Sequence, residues 1–152
     1  MAYCGRNRRP DVSYDYHASP VDLARACDVL VVVAPGGAAG EALVGAEVLA
    51  ALGPEGILIN VVRGSLVDET ALIEALRHGT IHAAGLDVYA DEPRVPDALV
   101  ALDNVVLLLH VGSASHHTRR AMGALLVDNL VSWFDGRGPV TPVLETPWHP
   151  NA

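Results

Sequence analysis

The sequence predicts an α/β fold in which parallel strands alternate with helices, and three observations carry that reading. Continuous Val/Ile/Leu runs of strand length recur at Val29 to Val33, Gly56 to Val62, Ala83 to Val88 and Val105 to Leu109. Helical patterns opened by Ser19, Asp68 and Ser115 stand between or after them. Residues with chemical character (Arg6, Pro35, Arg63, Asp87 with Glu92, and His110) fall just past the ends of the runs. Strands that are apolar throughout, rather than alternating, belong to parallel sheets covered on both faces. In such sheets ligands bind outside the carboxyl ends of the strands.

Taken in order, Ala2 to Gly5 reads as the end of a strand. Ser19-Pro20-Val21-Asp22 is a helix start, with serine as the cap, proline at the first helical position and aspartate at the third. Val29 to Val33 is a buried strand closed by Pro35-Gly36-Gly37, and Gly45 to Leu52 is a short helix. Gly56 to Val62 is the next strand. Asp68 caps a helix that runs to about His78, with Leu72, Ile73 and Leu76 on its apolar face. Arg77 and His78 suit the negative end of its dipole, and Gly79 stops it. Ala83 to Val88 and Val105 to Leu109 complete the strands. Ser115 to about Asp135 is a long helix, with Met122, Leu125, Leu126, Leu130, Trp133 and Phe134 mostly on one side, expected as core or interface. Gly136 ends it. The organisation expected is one domain over 1–138 and an irregular tail over 139–152.

Composition narrows the chemistry. At 152 residues, 51% of them apolar, the chain can bury a real core. No apolar run approaches the roughly 18 residues that cross a bilayer, and the N-terminus lacks the apolar segment of a secretory signal. A soluble cytoplasmic protein that binds no membrane is the expectation. A formal charge of -8 argues against nucleic acid as a partner. All ten basic residues are arginine, which excludes Schiff-base lysine chemistry and a P-loop lysine. Cys4 and Cys27 have no CxxC spacing and read as reduced core thiols. Seven histidines raise the question of a metal. His116 and His117 would point about 100° apart on a helix, however, and no HExxH spacing occurs, so no metal site is expected.

The most informative stretch is NVVRGSLVDE, Asn60 to Glu69. It aims Arg63 out of the end of a buried strand, where a planar guanidinium fork can hold a carboxylate. GLDVYADEP (Gly85 to Pro93) and LHVGSAS (Leu109 to Ser115) add an acid and a histidine, each past a strand. Histidine titrates near neutral pH, and a carboxylate partner stabilises its imidazolium. The trio is a site suited to reducing a 2-oxo acid or oxidising a 2-hydroxy acid. Taken singly, each residue has a plainer reading. Arg63 is then a surface arginine, His110 a satisfied core histidine, Asp87 a strand end, Asp91 and Glu92 turn residues, and Arg6 and Arg8 solvated charges. The combination decides.

AYCGRN (2–7), DVLVVVAPGG (28–37), GILINVVRGSLVDETAL (56–72), GLDVYADEP (85–93) and NVVLLLHVGSAS (104–115) together cover most of Ala2 to Val143. On these blocks the chain resembles the D-isomer-specific 2-hydroxyacid dehydrogenases, most closely the glyoxylate/hydroxypyruvate reductase branch. The resemblance implies part of a Rossmann-like NAD(P)-binding domain. The implied reaction is NAD(P)-dependent reduction of a small 2-oxo acid to its D-2-hydroxy acid; NADP is expected over NAD because Gly5-Arg6-Asn7-Arg8 offers arginine and no acid where an NAD-preferring domain has one. Arg63 matches the arginine that binds the substrate carboxylate and polarises the 2-oxo group. His110 matches the general acid/base, and Glu92 the carboxylate that bonds that histidine and favours its protonated form. Asp87 matches the aspartate near the nicotinamide carboxamide. Gly112 and Ser113 match the loop beside the nicotinamide. Cofactor contacts are implied for Arg6, Asn7, Arg8, Pro35, Val61, Arg63, Asp87, His110, Gly112 and Ser113. A homodimer through the dinucleotide-binding domain is implied as well.

Two departures stand out. The family usually carries proline where this chain has Leu109, which loosens the turn that presents His110. The family's domain also opens with a strand, a GxGxxG turn and a helix, and no GxGxxG occurs in these residues. The chain thus corresponds to the C-terminal half of such an enzyme, without the first strand, the pyrophosphate turn and the substrate-binding domain. The first strand would lie between the strand ending at Gly5 and Val29 to Val33, so both are expected to keep unpaired edges and to associate through them. On its own the chain is expected to lack turnover. The competing expectation is a catalytically silent chain that serves as a binding or assembly module or is a gene remnant.

Overall fold

The structure is a computed structural model that describes residues 1–34, 42–143, 145 and 148. The turn expected at Pro35-Gly36-Gly37, and Pro35 with it, lies outside the described residues. The chain divides into two compact units, Met1–His110 and Val111–Ala152.

The first unit begins with β1 (Ala2–Cys4) and β2 (Asp15–His17), which pair in parallel. Helix α1 (Pro20–Arg25) follows, then β3 (Val29–Val32), α2 (Ala46–Leu52) and β4 (Ile57–Asn60). A 3₁₀ turn (Gly64–Leu66), α3 (Glu69–Arg77), β5 (Ala83–Leu86), α4 (Asp97–Val100) and β6 (Val105–Leu107) complete the unit. The second sheet has order β3-β4-β5-β6, all parallel. The α/β class and the parallel sheet are as the sequence predicts. The β1–β2 pair and β3 belong to separate sheets among the described residues. Two short elements, β2 and α4, were not expected. β2 is a polar Asp-Tyr-His stretch with no apolar run to mark it.

The caps explain where the helices start. The Ser19 hydroxyl accepts the Asp22 N–H at 3.1 Å, and the Asp68 carboxylate accepts the Ala71 N–H at 3.0 Å. Each satisfies a donor that has no partner inside its helix. Gly79, at φ +68°, follows the last turn of α3 in the left-handed conformation that glycine adopts without strain.

Register decides which face of the sheet is core. Leu30, Leu58 and Ala84 are neighbours across three strands and are 6%, 0% and 3% exposed. The next row on that face, Val32, Asn60 and Leu86, is buried too. Leu49 of α2, Leu72 of α3, Ile81 and Leu99 are fully buried in the same core. The other face is only partly covered: Ile57, Ile59, Ala83 and Gly85 of the central strands are half-buried, Val29 and Val31 are half exposed, and Val106 is more so. This corrects the expectation of cover on both faces. Continuous apolar strands signal that both faces avoid water in the finished protein, but they do not say which element provides the cover.

The second unit contains α5 (His116–Phe134), started by the Ser115 hydroxyl, which accepts the Thr118 N–H at 3.1 Å. Asn129 ties the tail to it by accepting the Thr141 N–H at 3.1 Å. Of the two expectations for this helix, core or interface, the first is not met. Met122, Leu125, Leu126, Leu130, Trp133 and Phe134 are all exposed, and so are Val127 and Val131. At about 100° per residue these positions wrap more than half the circumference, so no single buried stripe exists. Among its described residues only Ser132 is buried. No helix among the described residues is long and apolar enough to cross a membrane.

Removing the α3 cap by Asp68→Ala should lower stability by about 1 kcal/mol. The measurement is the midpoint of urea unfolding, and an unchanged midpoint would show that another group satisfies the first turn.

Candidate functional site

Three loops leave the carboxyl ends of β4, β5 and β6, and the sequence locks them to one another. Asn60, the last residue of β4, is 1% exposed. Its amide nitrogen donates to the Arg63 carbonyl at 2.9 Å, and its Oδ1 accepts the Val62 N–H at 3.3 Å. One buried side chain therefore closes the turn that carries Arg63. The Arg63 side chain is exposed, and its Nη1 donates to the Val62 carbonyl at 2.6 Å. A guanidinium has five N–H donors, so the fork keeps capacity for an anion. Val61 stands exposed beside it.

The β5 loop begins at Asp87, which is 3% exposed. Its N–H donates to the Asn60 carbonyl at 3.0 Å, and its carbonyl accepts the His110 N–H at 2.9 Å. Asp87 thus joins all three strand ends through its backbone. The loop then passes against Gly64, and Glu69, in the first turn of α3, accepts the Ala90 N–H at 2.8 Å. Farther on, Glu92 Oε1 accepts the Tyr89 N–H at 3.1 Å.

The β6 end completes the group. The Leu108 N–H donates to the Leu86 carbonyl at 2.8 Å, and the Tyr89 hydroxyl donates to the Leu108 carbonyl at 2.6 Å. Among the described residues His110 is the only non-glycine residue with positive φ, at 55°. That left-handed conformation costs roughly 1–2 kcal/mol for a residue with a β-carbon. In it the His110 ring places Nδ1 2.7 Å from Glu92 Oε2.

The protons follow from the geometry. An ionised carboxylate only accepts, so Nδ1 carries the hydrogen of this bond. Nε2 is left as the ring nitrogen that can exchange a proton with a bound molecule. The Glu92 carboxyl is held below the usual carboxylate range. The His110 bond is the main cause and the Tyr89 N–H the next, and the charges of His110 and Arg63 act in the same direction. Arg63, Glu92 and His110 are thereby electrostatically connected as well as adjacent in the fold.

The remaining expected residues lie on other segments of the chain. Arg6, Asn7 and Arg8 follow β1 and are exposed. Among the described residues Arg9 is committed to Asp11 at 2.8 Å and holds that carboxyl down at about 2, whereas Arg6 and Arg8 make no ion pair. Gly112 and Ser113 open the second unit and are exposed. Cys4 and Cys27 are free and half-buried, and burial is the main reason both thiols sit above their ordinary range. Sequence reasoning passed over Asn60, Glu69 and Tyr89. An asparagine ending an otherwise apolar strand was the one visible signal, because a buried amide must have partners.

The Glu92 carboxyl gives a direct check of the pair. A carboxyl whose folded value is depressed adds stability above the ordinary range and loses it as pH falls through the folded value. His110→Gln removes the largest cause of the depression. Carbon NMR titration of Glu92 should then show its midpoint rise toward the ordinary carboxylate value. A midpoint that stays where it was would mean that the Tyr89 N–H alone sets it.

Comparison with known proteins adds an independent line. Residues 1–112 match the family model described as D-isomer specific 2-hydroxyacid dehydrogenase, NAD binding domain. The chain is 47% identical over 142 residues to a glyoxylate/hydroxypyruvate reductase A of Arabidopsis thaliana, covering 93% of this chain and 45% of that protein. It is 45% identical over 144 residues to the hydroxyphenylpyruvate reductase of Plectranthus scutellarioides, covering 95% and 46%. Among solved structures it is similar to the NADPH-dependent glyoxylate/hydroxypyruvate reductase of Sinorhizobium meliloti in complex with NADP and malonate. The TM-score there is 0.90 at 52% identity, over 99% of this chain and 47% of that one. The chain spans about half the length of the curated relatives it matches.

Proposed function

The chain belongs to the D-isomer specific 2-hydroxyacid dehydrogenases, by their NAD-binding domain, and from that premise we propose that it carries the acid/base and carboxylate-binding groups of an NADP-dependent reductase of small 2-oxo acids. Glyoxylate and hydroxypyruvate are the leading substrates. The observation that supports this most is the 2.7 Å bond between His110 Nδ1 and Glu92 Oε2, with Arg63 close enough to help hold that carboxylate ionised.

The residues present fit the cofactor. Two exposed arginines that make no ion pair among the described residues, Arg6 and Arg8, follow β1, where an NAD-preferring domain would carry an acid for the ribose 2′-hydroxyl. Cationic forks at that place suit a 2′-phosphate. Arg6, Asn7 and Arg8 would hold that end of the cofactor. Pro35, Val61, Asp87, Gly112 and Ser113 would border the rest. When bound, NADPH supplies the hydride. The chain's own residues do the remaining work. Arg63 takes the substrate carboxylate in its fork and draws electron density from the neighbouring carbonyl. His110 delivers a proton from Nε2 to the carbonyl oxygen, while Glu92 keeps the ring oriented and compensates its charge. The paired, partly exposed histidine suits proton exchange with solvent between turnovers.

On this reading the exposed apolar residues of α5 contribute to a homodimer, and the free thiols fit a reducing cytoplasm.

The test is a chimera in which the N-terminal half of the Sinorhizobium meliloti reductase precedes Met1. It should reduce glyoxylate and hydroxypyruvate, with kcat/KM for NADPH at least about tenfold above that for NADH, the equivalent of roughly 1.4 kcal/mol. Equal values, or a preference for NADH, would sink the cofactor assignment. A chimera that binds NADPH without turnover would favour the silent-module reading. Arg63→Lys in the same protein should lower kcat/KM by about 10- to 1,000-fold, because lysine keeps the charge and loses the fork. An unchanged kcat/KM would remove Arg63 from the site.

A further inference from the structure

The geometry points to Tyr89 as a positioning residue. Its hydroxyl, by holding the Leu108 carbonyl, sets the backbone conformation in which His110 meets Glu92. Its consequence for turnover rests on the reading of His110 as the acid/base group, whereas the conformational effect does not.

His110 needs to be held. It is a non-glycine residue in the left-handed region, and a residue with a β-carbon leaves that region unless its neighbours prevent it. Leu109, just before it, provides no anchor. Its side chain is 73% exposed, and among the described residues its N–H is not a donor. Among the bonds that flank Leu109 instead, three stand out. The Leu108 N–H goes to Leu86 and the His110 N–H to Asp87, both backbone to backbone. The third is the Leu108 carbonyl, and the side chain that holds it is Tyr89, at 2.6 Å. That carbonyl belongs to the peptide plane entering Leu109. With the His110 N–H on Asp87 holding the next plane, fixing it limits the crankshaft rotation of Leu109 through which His110 would relax.

Tyr89 is also fixed where it stands. It is 5% exposed and belongs to the hydrophobic core. Its backbone packs on Gly64, and its N–H donates to Glu92 Oε1. One residue therefore touches both sides of the pair. Its N–H orients the carboxylate, and its hydroxyl orients the strand end that carries the imidazole. Burial, and then the charges of Asp87, Glu69 and Glu92, hold its phenol above the ordinary range, so the hydroxyl remains a donor at neutral pH. Phenylalanine would fill the same volume and keep the N–H bond to Glu92. The hydroxyl is thus the separable part.

A plainer role exists for a buried tyrosine, which is to pack and to satisfy its own hydroxyl. The two roles predict different results for Tyr89→Phe in the 152-residue chain. If the hydroxyl positions His110, the Cα and Cβ chemical shifts of His110 should move away from left-handed values. The Glu92 carboxyl midpoint should rise toward the ordinary range, even though Glu92 and the Tyr89 N–H are untouched. If Tyr89 only packs, stability falls while the His110 shifts and the Glu92 midpoint stay at wild-type values, and the inference is overturned. A second measurement needs no variant. In the wild-type chain the Tyr89 hydroxyl should exchange slowly with deuterium and produce an isotope shift at the Leu108 carbonyl carbon. Exchange as fast as a free phenol, with no isotope shift, would also overturn it. In the chimera, Tyr89→Phe should lower kcat by about 10- to 100-fold with KM changed less than about twofold, as misplacement of a reacting group does. Failure of the functional reading looks different. His110→Gln would then retain full turnover, while the NMR effects of Tyr89→Phe persist.

Discussion

No side chain fits between the β4 loop and the β5 loop. A β-carbon on Gly64 would lie 1.9 Å from the Tyr89 carbonyl carbon and 2.4 Å from the Ala90 nitrogen. That close approach sets the spacing of everything beyond it. Arg63 immediately precedes the glycine, and Tyr89, Ala90 and Glu92 follow along the opposing loop. Glu69 reaches across to the Ala90 N–H at 2.8 Å, so the N-terminal turn of α3 closes the contact from a second side. The parallel register of β4, β5 and β6 brings the three loops to one edge of the sheet. The glycine contact then makes two of them a single surface.

The His110–Glu92 pair is better understood as an orienting device than as a source of stability. The two side chains are 53% and 35% exposed, and solvent screens an ion pair so exposed. The fold nevertheless holds His110 in a disfavoured backbone conformation to make the contact. The arrangement costs local energy and fixes one ring nitrogen as a donor, leaving the other available. Glu92 is well suited to this because each of its oxygens has a separate partner, the Tyr89 N–H and the His110 ring. A carboxylate so engaged cannot rotate without losing both.

What was legible in the sequence were the local rules. Ser19, Asp68 and Ser115 cap the helices they were expected to cap, because that signal is complete within four residues. The strands were found, but each apolar run outlasted its ladder. Val61, Val62, Asp87, Val88, Leu108 and Leu109 lie past the paired residues and form the loops of the site instead. Hydrophobicity says that a segment avoids water, whereas strand ends depend on where the neighbouring strand stops pairing. The chemistry-bearing residues could be read for the same reason in reverse, since charged and imidazole groups interrupt such runs conspicuously. Tyr89 could not. An aromatic residue among apolar ones reads as core, which it is, and its hydroxyl bond to Leu108 spans 19 positions of sequence. The exposure of α5 was equally hidden, because Val127 and Val131 widen its apolar surface beyond any one face.

The division between the two sheets has a consequence for how the proposed functions are distributed. Arg6, Asn7 and Arg8 extend from the β1–β2 pair, while Arg63, Asp87, Glu92 and His110 extend from the four-stranded sheet. Among the described residues, the hydrogen bonds that hold the His110–Glu92 pair include those of Asn60, Tyr89, Asp87 and Leu108, which belong to the strand ends of the four-stranded sheet. Groups that share no partners act on free energy independently. Cofactor preference, if set by the arginines after β1, can therefore change by substitution there without disturbing the acid/base pair. The acid/base geometry, by contrast, cannot tolerate change at one loop alone, because Gly64, Tyr89 and Leu108 link all three. The groups that contact one another vary together, whereas the proposed cofactor arginines belong to a different sheet.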